Sequence, residues 1–187
     1  MDLIDAIYAR RAVRSYLPET IDEASIRQLL SAATQAPSAM NAQPWAFAVV
    51  QDKARLERYS QRAKSLILAK TANEPKAERY RTMLSDPNFN IFYDAGTLIA
   101  ICADPRSAYA QADCWLAAQN LQLAAVARGL GTCCIGFALG VLNEAEVKTE
   151  LGIPQSSSAI AALIVGKPRA QPPAVVRKEP VVLSWLR

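Results

Sequence analysis

The 187-residue chain contains no histidine, which removes serine–histidine and cysteine–histidine nucleophilic catalysis at the outset. Arginines, uncharged amides and cysteines remain for chemistry. Arg10, Arg11 and Arg14 stand together near the start of the chain. Their planar guanidiniums stay charged at all working pH and hold phosphate through a two-pronged donor fork. A solvated basic face would produce the same cluster. Lys167 and Arg169 flank Pro168 just after a candidate strand, placing two further cations at its end or forming an ordinary exposed basic turn.

A second constellation is uncharged. Ala36-Pro37-Ser38-Ala39-Met40-Asn41-Ala42-Gln43-Pro44-Trp45 reads as a tight turn that offers Ser38, Asn41 and Gln43 as hydrogen-bonding groups. Asn and Gln each carry a donor and an acceptor, which suits a ring edge of mixed polarity. Turn chemistry alone accounts for Ser38 and Asn41, but less well for Gln43 and the two framing prolines. A third stretch, Gly129-Leu130-Gly131-Thr132-Cys133-Cys134-Ile135-Gly136, has glycines through which backbone amides could approach a ligand. It lacks the Lys-Ser/Thr of a phosphate loop, and a helix cap followed by a strand explains its glycines equally. Cys102, Cys114, Cys133 and Cys134 do not have zinc-site spacing and read as buried free thiols, so no metal is expected.

These groups need elements to position them. Asp2 to Arg10 reads as a short helix with Leu3, Ile4 and Ile7 on one face. Thr20 and Asp22 start a second helix through Ile26, Leu29, Leu30 and Ala33, ending before Pro37. Trp45–Val50 reads as a buried strand and Lys53–Leu68 as a helix. Thr71–Asn90 is a polar excursion, either a short helix with loops or a plain linker, and residues 60–90 are a candidate lid. Gly96–Ala103 is a second strand. Ser107–Arg128 is a long helix, apolar nearly all round, capped by Gly129 and therefore buried in a core or against a partner. Thr132–Ile135 is a short apolar piece. Asn143 caps a surface helix to Leu151, and Ser158–Val165 is another strand. The tail, residues 167–187, carries Pro168, Pro172, Pro173 and Pro180 before an apolar end, and should lie extended over its own domain or a second subunit.

Composition sets the frame. The length suits one domain, 1–187, and the apolar and charged fractions (51% and 20%) are those of a globular protein. With no leader or membrane-length apolar run in view, a soluble, cytoplasmic protein without membrane attachment is expected. The net charge of +4 fits an anionic small molecule as well as nucleic acid. No aromatic residues alternate with a basic stripe, so nucleic acid is not an expected partner.

In order and combination, these motifs resemble those of the FMN-dependent nitroreductase family. The resemblance rests on the Arg10–Arg14 opening, the Ala36–Trp45 turn, the long apolar helix running into Gly129-Leu130-Gly131-Thr132-Cys133, and the Gly166-Lys167-Pro168 strand ending. It implies an α+β fold with a largely antiparallel central sheet flanked by helices, in an intertwined homodimer whose tail packs on the partner. FMN would lie at the subunit interface. Arg10, Arg11 and Arg14, with Ala12 where the family often has serine, would hold its phosphate and the polar edge of its ring. Lys167 and Arg169 would complete the phosphate site. Pro37, Ser38, Ala39, Asn41 and Gln43 would line the flavin, partly from the neighbouring subunit, and Cys134, Ile135 and Gly136 would run beside the ring. The implied activity is a two-step hydride transfer through flavin N5, from NADH or NADPH to a small electron-poor acceptor such as a nitroaromatic or quinone. No side chain acts as acid or base. A non-catalytic FMN-storage protein shares every binding motif, and a flavoenzyme of the same fold could perform dehydrogenation or dehalogenation instead.

Overall fold

A computed structural model describes residues 1–74 and 77–187. Pro75 and Lys76, inside the candidate lid, lie outside the described residues. Among the described residues, seven α-helices and four strands are formed: α1 (Leu3–Ala9), α2 (Glu23–Ala33), β1 (Ala46–Val50), α3 (Lys53–Thr71), α4 (Glu78–Ser85), β2 (Thr97–Ala103), α5 (Ala110–Ala127), β3 (Gly131–Cys134), α6 (Leu139–Leu142), α7 (Ala145–Glu150) and β4 (Ser158–Gly166). The sheet runs β1-β2-β4-β3 with every pairing antiparallel. The fold is α+β, as the resemblance implies.

Aspartates start three helices. The Asp2, Asp22 and Asp52 carboxylates each accept a hydrogen bond of 2.8 Å from a backbone amide in the first turn of α1, α2 and α3. Gly129 ends α5 with φ +70°, and the Leu130 amide returns to the Ala125 carbonyl. Every residue of β2 is buried, as an inner strand covered on both faces requires. Alternate side chains of the sheet enter two cores. Leu98, Ala100, Ala162 and Ile164 pack with Leu56, Tyr59 and Ala63 of α3. Ile99, Ile101, Leu163 and Val165 pack with Leu29 of α2 and Leu121 of α5.

Two expectations change. Trp45–Val50 is not a fully buried strand: β1 forms the sheet edge and leaves Ala46 and Val49 exposed. Asn143 does not cap α7. Its amide nitrogen donates to the Leu139 and Ala159 carbonyls and its oxygen accepts from the Ala159 amide, pinning α6 to β4. The 60–90 segment holds the end of α3, then α4 and loops. Helix α3 extends to Thr71, and the buried Lys64 ammonium donates to the Asp86 and Phe89 carbonyls at 2.7 and 3.0 Å, securing the chain beyond α4.

Apolar surface remains uncovered. Leu3, Ile4, Ile7 and Tyr8 of α1 are exposed, as are Trp115 and Leu116 of α5. Residues 171–187 form no helix or strand, and Val176, Leu183 and Leu186 are about 95% exposed, so the apolar end of the tail is not covered by its own domain.

Candidate functional site

The Arg10–Tyr16 segment leaves α1 and runs beside β3. The Val13 amide donates to the Thr132 carbonyl at 2.9 Å, and Ala12 pairs with Thr132 in a parallel bridge. Further on, the Leu17 amide donates to the Lys167 carbonyl and the Arg169 amide to the Ser15 carbonyl, at 2.9 and 3.0 Å. Arg10, Ala12, Arg14, Lys167 and Arg169 therefore lie on one edge of the molecule with Cys134, Ile135 and Gly136.

Two glycines make this approach feasible. A Cβ on Gly131 would lie 2.6 Å from Val13, and one on Gly166 would lie 2.7 Å from the Tyr16 ring. These glycines serve packing between segments, so for Gly131 the strand reading holds rather than the ligand-facing one. Gly136 differs, as does the helix-ending Gly129: a Cβ at either would meet nothing within 4 Å.

The cations are not equivalent. Arg11 turns back to donate to the Tyr8 and Arg10 carbonyls, so it satisfies the end of α1 rather than facing the site. Arg169 donates to the Tyr16 carbonyl at 3.2 Å, and Lys167 pairs with Glu19. Among the described residues, Arg10 and Arg14 pair with no carboxylate. The Arg14 guanidinium instead lies 5.9 Å from the centre of the Tyr93 ring.

Arg14 and Tyr93 stand at the mouth of a groove of about 320 Å³ lined by Cys133, Cys134, Ile135, Gly136 and Phe137. Tyr80 of α4 and Ile91 close its other side. Tyr80 meets Phe137 edge to face at 5.8 Å, and Ile91 is held by its amide donating to Ser60 Oγ at 3.0 Å. The amides of Gly136 and Phe137 open a 3-10 turn and so have no preceding carbonyl of that turn to bond. Cys134 is exposed, which corrects its assignment as a buried thiol; Cys102, Cys114 and Cys133 are buried. Burial pushes the Cys133 thiol up, and the nearby Arg14 and Arg10 charges partly oppose the shift. Arg14 and Tyr93 also border a larger cavity of about 460 Å³ beside Ser15, Tyr16, Asn88, Asn90 and Arg169. The sequence reading did not single out Tyr80, Ile91, Tyr93 or Phe137.

The uncharged constellation lies elsewhere. The Pro37–Trp45 turn precedes β1, at the opposite edge of the sheet from β3, about 14 Å away at some 4.8 Å per strand spacing. It meets the N-terminal end of α5, whose other end leads into β3. Met40, Asn41 and Gln43 adopt left-handed backbone conformations with φ of 53°, 53° and 45°. Each costs roughly 1–2 kcal/mol for a residue with a side chain. Ser38 Oγ accepts the Gln43 amide at 2.9 Å, and the Gln43 side chain donates to Asn41 Oδ1 at 3.2 Å. Asn41 and Gln43 are exposed, and Met40 is 99% exposed. Within one chain the two groups of candidate residues thus lie at opposite edges of the sheet.

Among the described residues, no acidic, cysteine or histidine cluster could hold a metal ion, and no helix is long and apolar enough to cross a membrane.

Comparison with known proteins matches this architecture. The model of the nitroreductase family matches residues 7–167. A protein of Archaeoglobus fulgidus with the provisional name NADH dehydrogenase/NAD(P)H nitroreductase is 30% identical over 173 residues, covering 90% of this chain and 86% of that protein. An iodotyrosine deiodinase of Thermotoga neapolitana is 28% identical over 187 residues, covering 96% of both chains. The crystal structure of a nitroreductase of Bacteroides fragilis with bound FMN superposes with a TM-score of 0.80 at 25% identity, covering 100% of this chain and 98% of that one. The chain belongs to the nitroreductase family.

Proposed function

We propose that this protein binds FMN and works as an NAD(P)H oxidoreductase that reduces electron-poor acceptors such as nitroaromatics and quinones. The observation that carries this reading is the pair of unneutralised arginines, Arg10 and Arg14, beside the Cys133–Phe137 groove with its open Gly136. A phosphate-bearing, flat, largely apolar cofactor fits that set. FMN would supply the chemistry, accepting a hydride equivalent from NADH or NADPH and passing electrons to the acceptor.

The chain's own groups bind and orient. Arg10 and Arg169 would take the phosphate, with Lys167 sharing its charge between phosphate and Glu19. Arg14 would bring positive charge to the polar edge of the ring. Cys134, Ile135 and Gly136 would lie along the ring, with the Gly136 or Phe137 amide free to donate to it. Ala12 adds no hydroxyl contact. Tyr80, on α4, gives the 60–90 segment a way to cover the groove. No side chain need exchange a proton.

Pro37, Ser38, Ala39, Asn41 and Gln43 sit too far across the sheet to join this groove within one chain. A second copy would bring its turn to the first copy's arginines, making two sites in a homodimer. The exposed apolar faces of α1 and α5 and the apolar tail favour that assembly.

A second reading, reductive dehalogenation on the same site, is favoured by the nearly complete mutual coverage with the iodotyrosine deiodinase.

The test is an absorption spectrum of the purified protein, then anaerobic addition of NADH, NADPH and an acceptor. Flavin bands that bleach with nucleotide and return with a quinone or nitroaromatic are expected. Bands restored by a halogenated phenol, with halide release, would favour the second reading. Bleaching without reoxidation by any acceptor would indicate a store. A colourless protein that takes up no FMN would end the proposal.

A further inference from the structure

We propose that Asp113 is a positioning residue: its buried carboxylate clamps the strained Pro37–Trp45 turn and thereby sets FMN affinity. The inference rests on the reading above that this turn lines the flavin.

Three residues with side chains, Met40, Asn41 and Gln43, hold left-handed conformations within four positions. Such strain persists where the surroundings over-determine it. Most of the turn's hydrogen bonds are internal. The Asn41 amide donates to the Ser38 carbonyl, the Ala42 amide to the Ala39 carbonyl and the Gln43 amide to Ser38 Oγ. Among the described residues, the hydrogen bond tying Ala39–Gln43 to the rest of the protein is the Ala39 amide donating to Asp113 Oδ1 at 3.2 Å.

Asp113 is ill suited to a purely structural task. It is 4% exposed, stands in the first turn of α5, and is the single charged residue of that helix. Its Oδ2 is buried without a hydrogen-bond partner. Burying a half-satisfied carboxylate is costly, and well-packed apolar residues often stabilise a fold as well or better than buried charge. The dipole of α5 offsets part of that cost at its N-terminal end. Among the described residues, the carboxylate's one protein hydrogen bond goes to the turn that carries Asn41 and Gln43.

The test compares the parent full-length protein with Asp113→Ala and Asp113→Asn. FMN affinity is measured by flavin fluorescence quenching, the thermal midpoint without flavin by circular dichroism, and amide exchange at Ala39–Gln43 by mass spectrometry. Asp113→Ala is expected to weaken FMN binding about tenfold or more, the loss of one hydrogen bond to a charged group. It should also accelerate exchange in the turn while leaving α3 and β2 protected. Asp113→Asn keeps an acceptor for the Ala39 amide and should recover most of the affinity. The proposal is overturned if Asp113→Ala binds FMN within twofold of the parent, or if affinity falls only in step with global stability. If Asp113→Ala does not fold, Ala39 decides: free-peptide exchange rates in the parent overturn the clamp, and protection retained in Asp113→Asn supports it. If the parent binds no FMN, the functional reading fails while turn exchange still judges the clamp.

Discussion

Val13 fills the space that a side chain on Gly131 would need, with Cγ2 2.6 Å from where a Cβ would sit. This contact seats the arginine segment against β3. Gly131→Ala should lower stability by about 1–3 kcal/mol, the usual cost of overpacking, and release flavin by displacing Arg10 and Arg14. Gly136→Ala meets open space and a permitted backbone, so it should leave the unfolding midpoint unchanged while altering flavin affinity. Denaturant unfolding with flavin titration separates the two.

The arginines should also separate by role. Arg10→Ala and Arg14→Ala are each expected to weaken FMN binding by about 1.5–3 kcal/mol, roughly 10- to 150-fold in Kd. Arg11→Ala removes hydrogen bonds to the α1 terminus, so its effect should fall on stability, about 0.5–1.5 kcal/mol, with a smaller change in Kd. Full flavin occupancy in purified Arg10→Ala would refute the phosphate assignment.

The tail should behave as an interface element. Removing residues 180–187 deletes Val181, Val182, Leu183, Trp185 and Leu186, all exposed on the single chain. Size-exclusion chromatography with light scattering is expected to show a weakened dimer and reduced bound flavin. An unchanged dimer with full flavin would remove the tail from the interface.

Alkaline stability should report on Tyr59. Its ring is buried, and its hydroxyl donates to Glu150 Oε2 at 2.8 Å at the protein's edge. Burial first, and the Glu150 hydrogen bond second, push the phenol from 10.0 up to about 12. Below about pH 10 both folded and unfolded chains hold this proton and the contribution is complete. Between that value and about 12 the unfolded chain releases it first, so stability declines with rising pH. Tyr59→Phe should cost about 0.5–1.5 kcal/mol at neutral pH and flatten the decline. Urea titrations at several pH values measure both.

Much of this fold can be read from residue patterns. Apolar runs locate β1, β2, β4 and the short piece that forms β3, Asp22 marks the start of α2, and Gly129 marks the end of α5. Strand order is non-local, so the edge position of β1 leaves no trace in Ala46–Val50. Identical arginines diverge because Arg11 stands close enough to the α1 carbonyls to bond them. Asn143 was open to misreading because a helix start and a cross-link to β4 use the same amide. Tyr80 and Ile91 reach the groove through tertiary packing alone. Asp113 did carry a signal: a lone carboxylate in an otherwise uncharged helix.

The placement of β1 and β3 on opposite edges has a genetic consequence. In the homodimer proposed above, defects in the two halves would be carried by different chains and still cancel. An Arg10→Ala chain and an Asn41→Ala chain, each impaired alone, would pair so that one of their two shared sites inherits both lesions and the other inherits neither. Refolded together at equal concentration, they should recover intact sites at about a quarter of the total, whereas two lesions confined to one half should recover none.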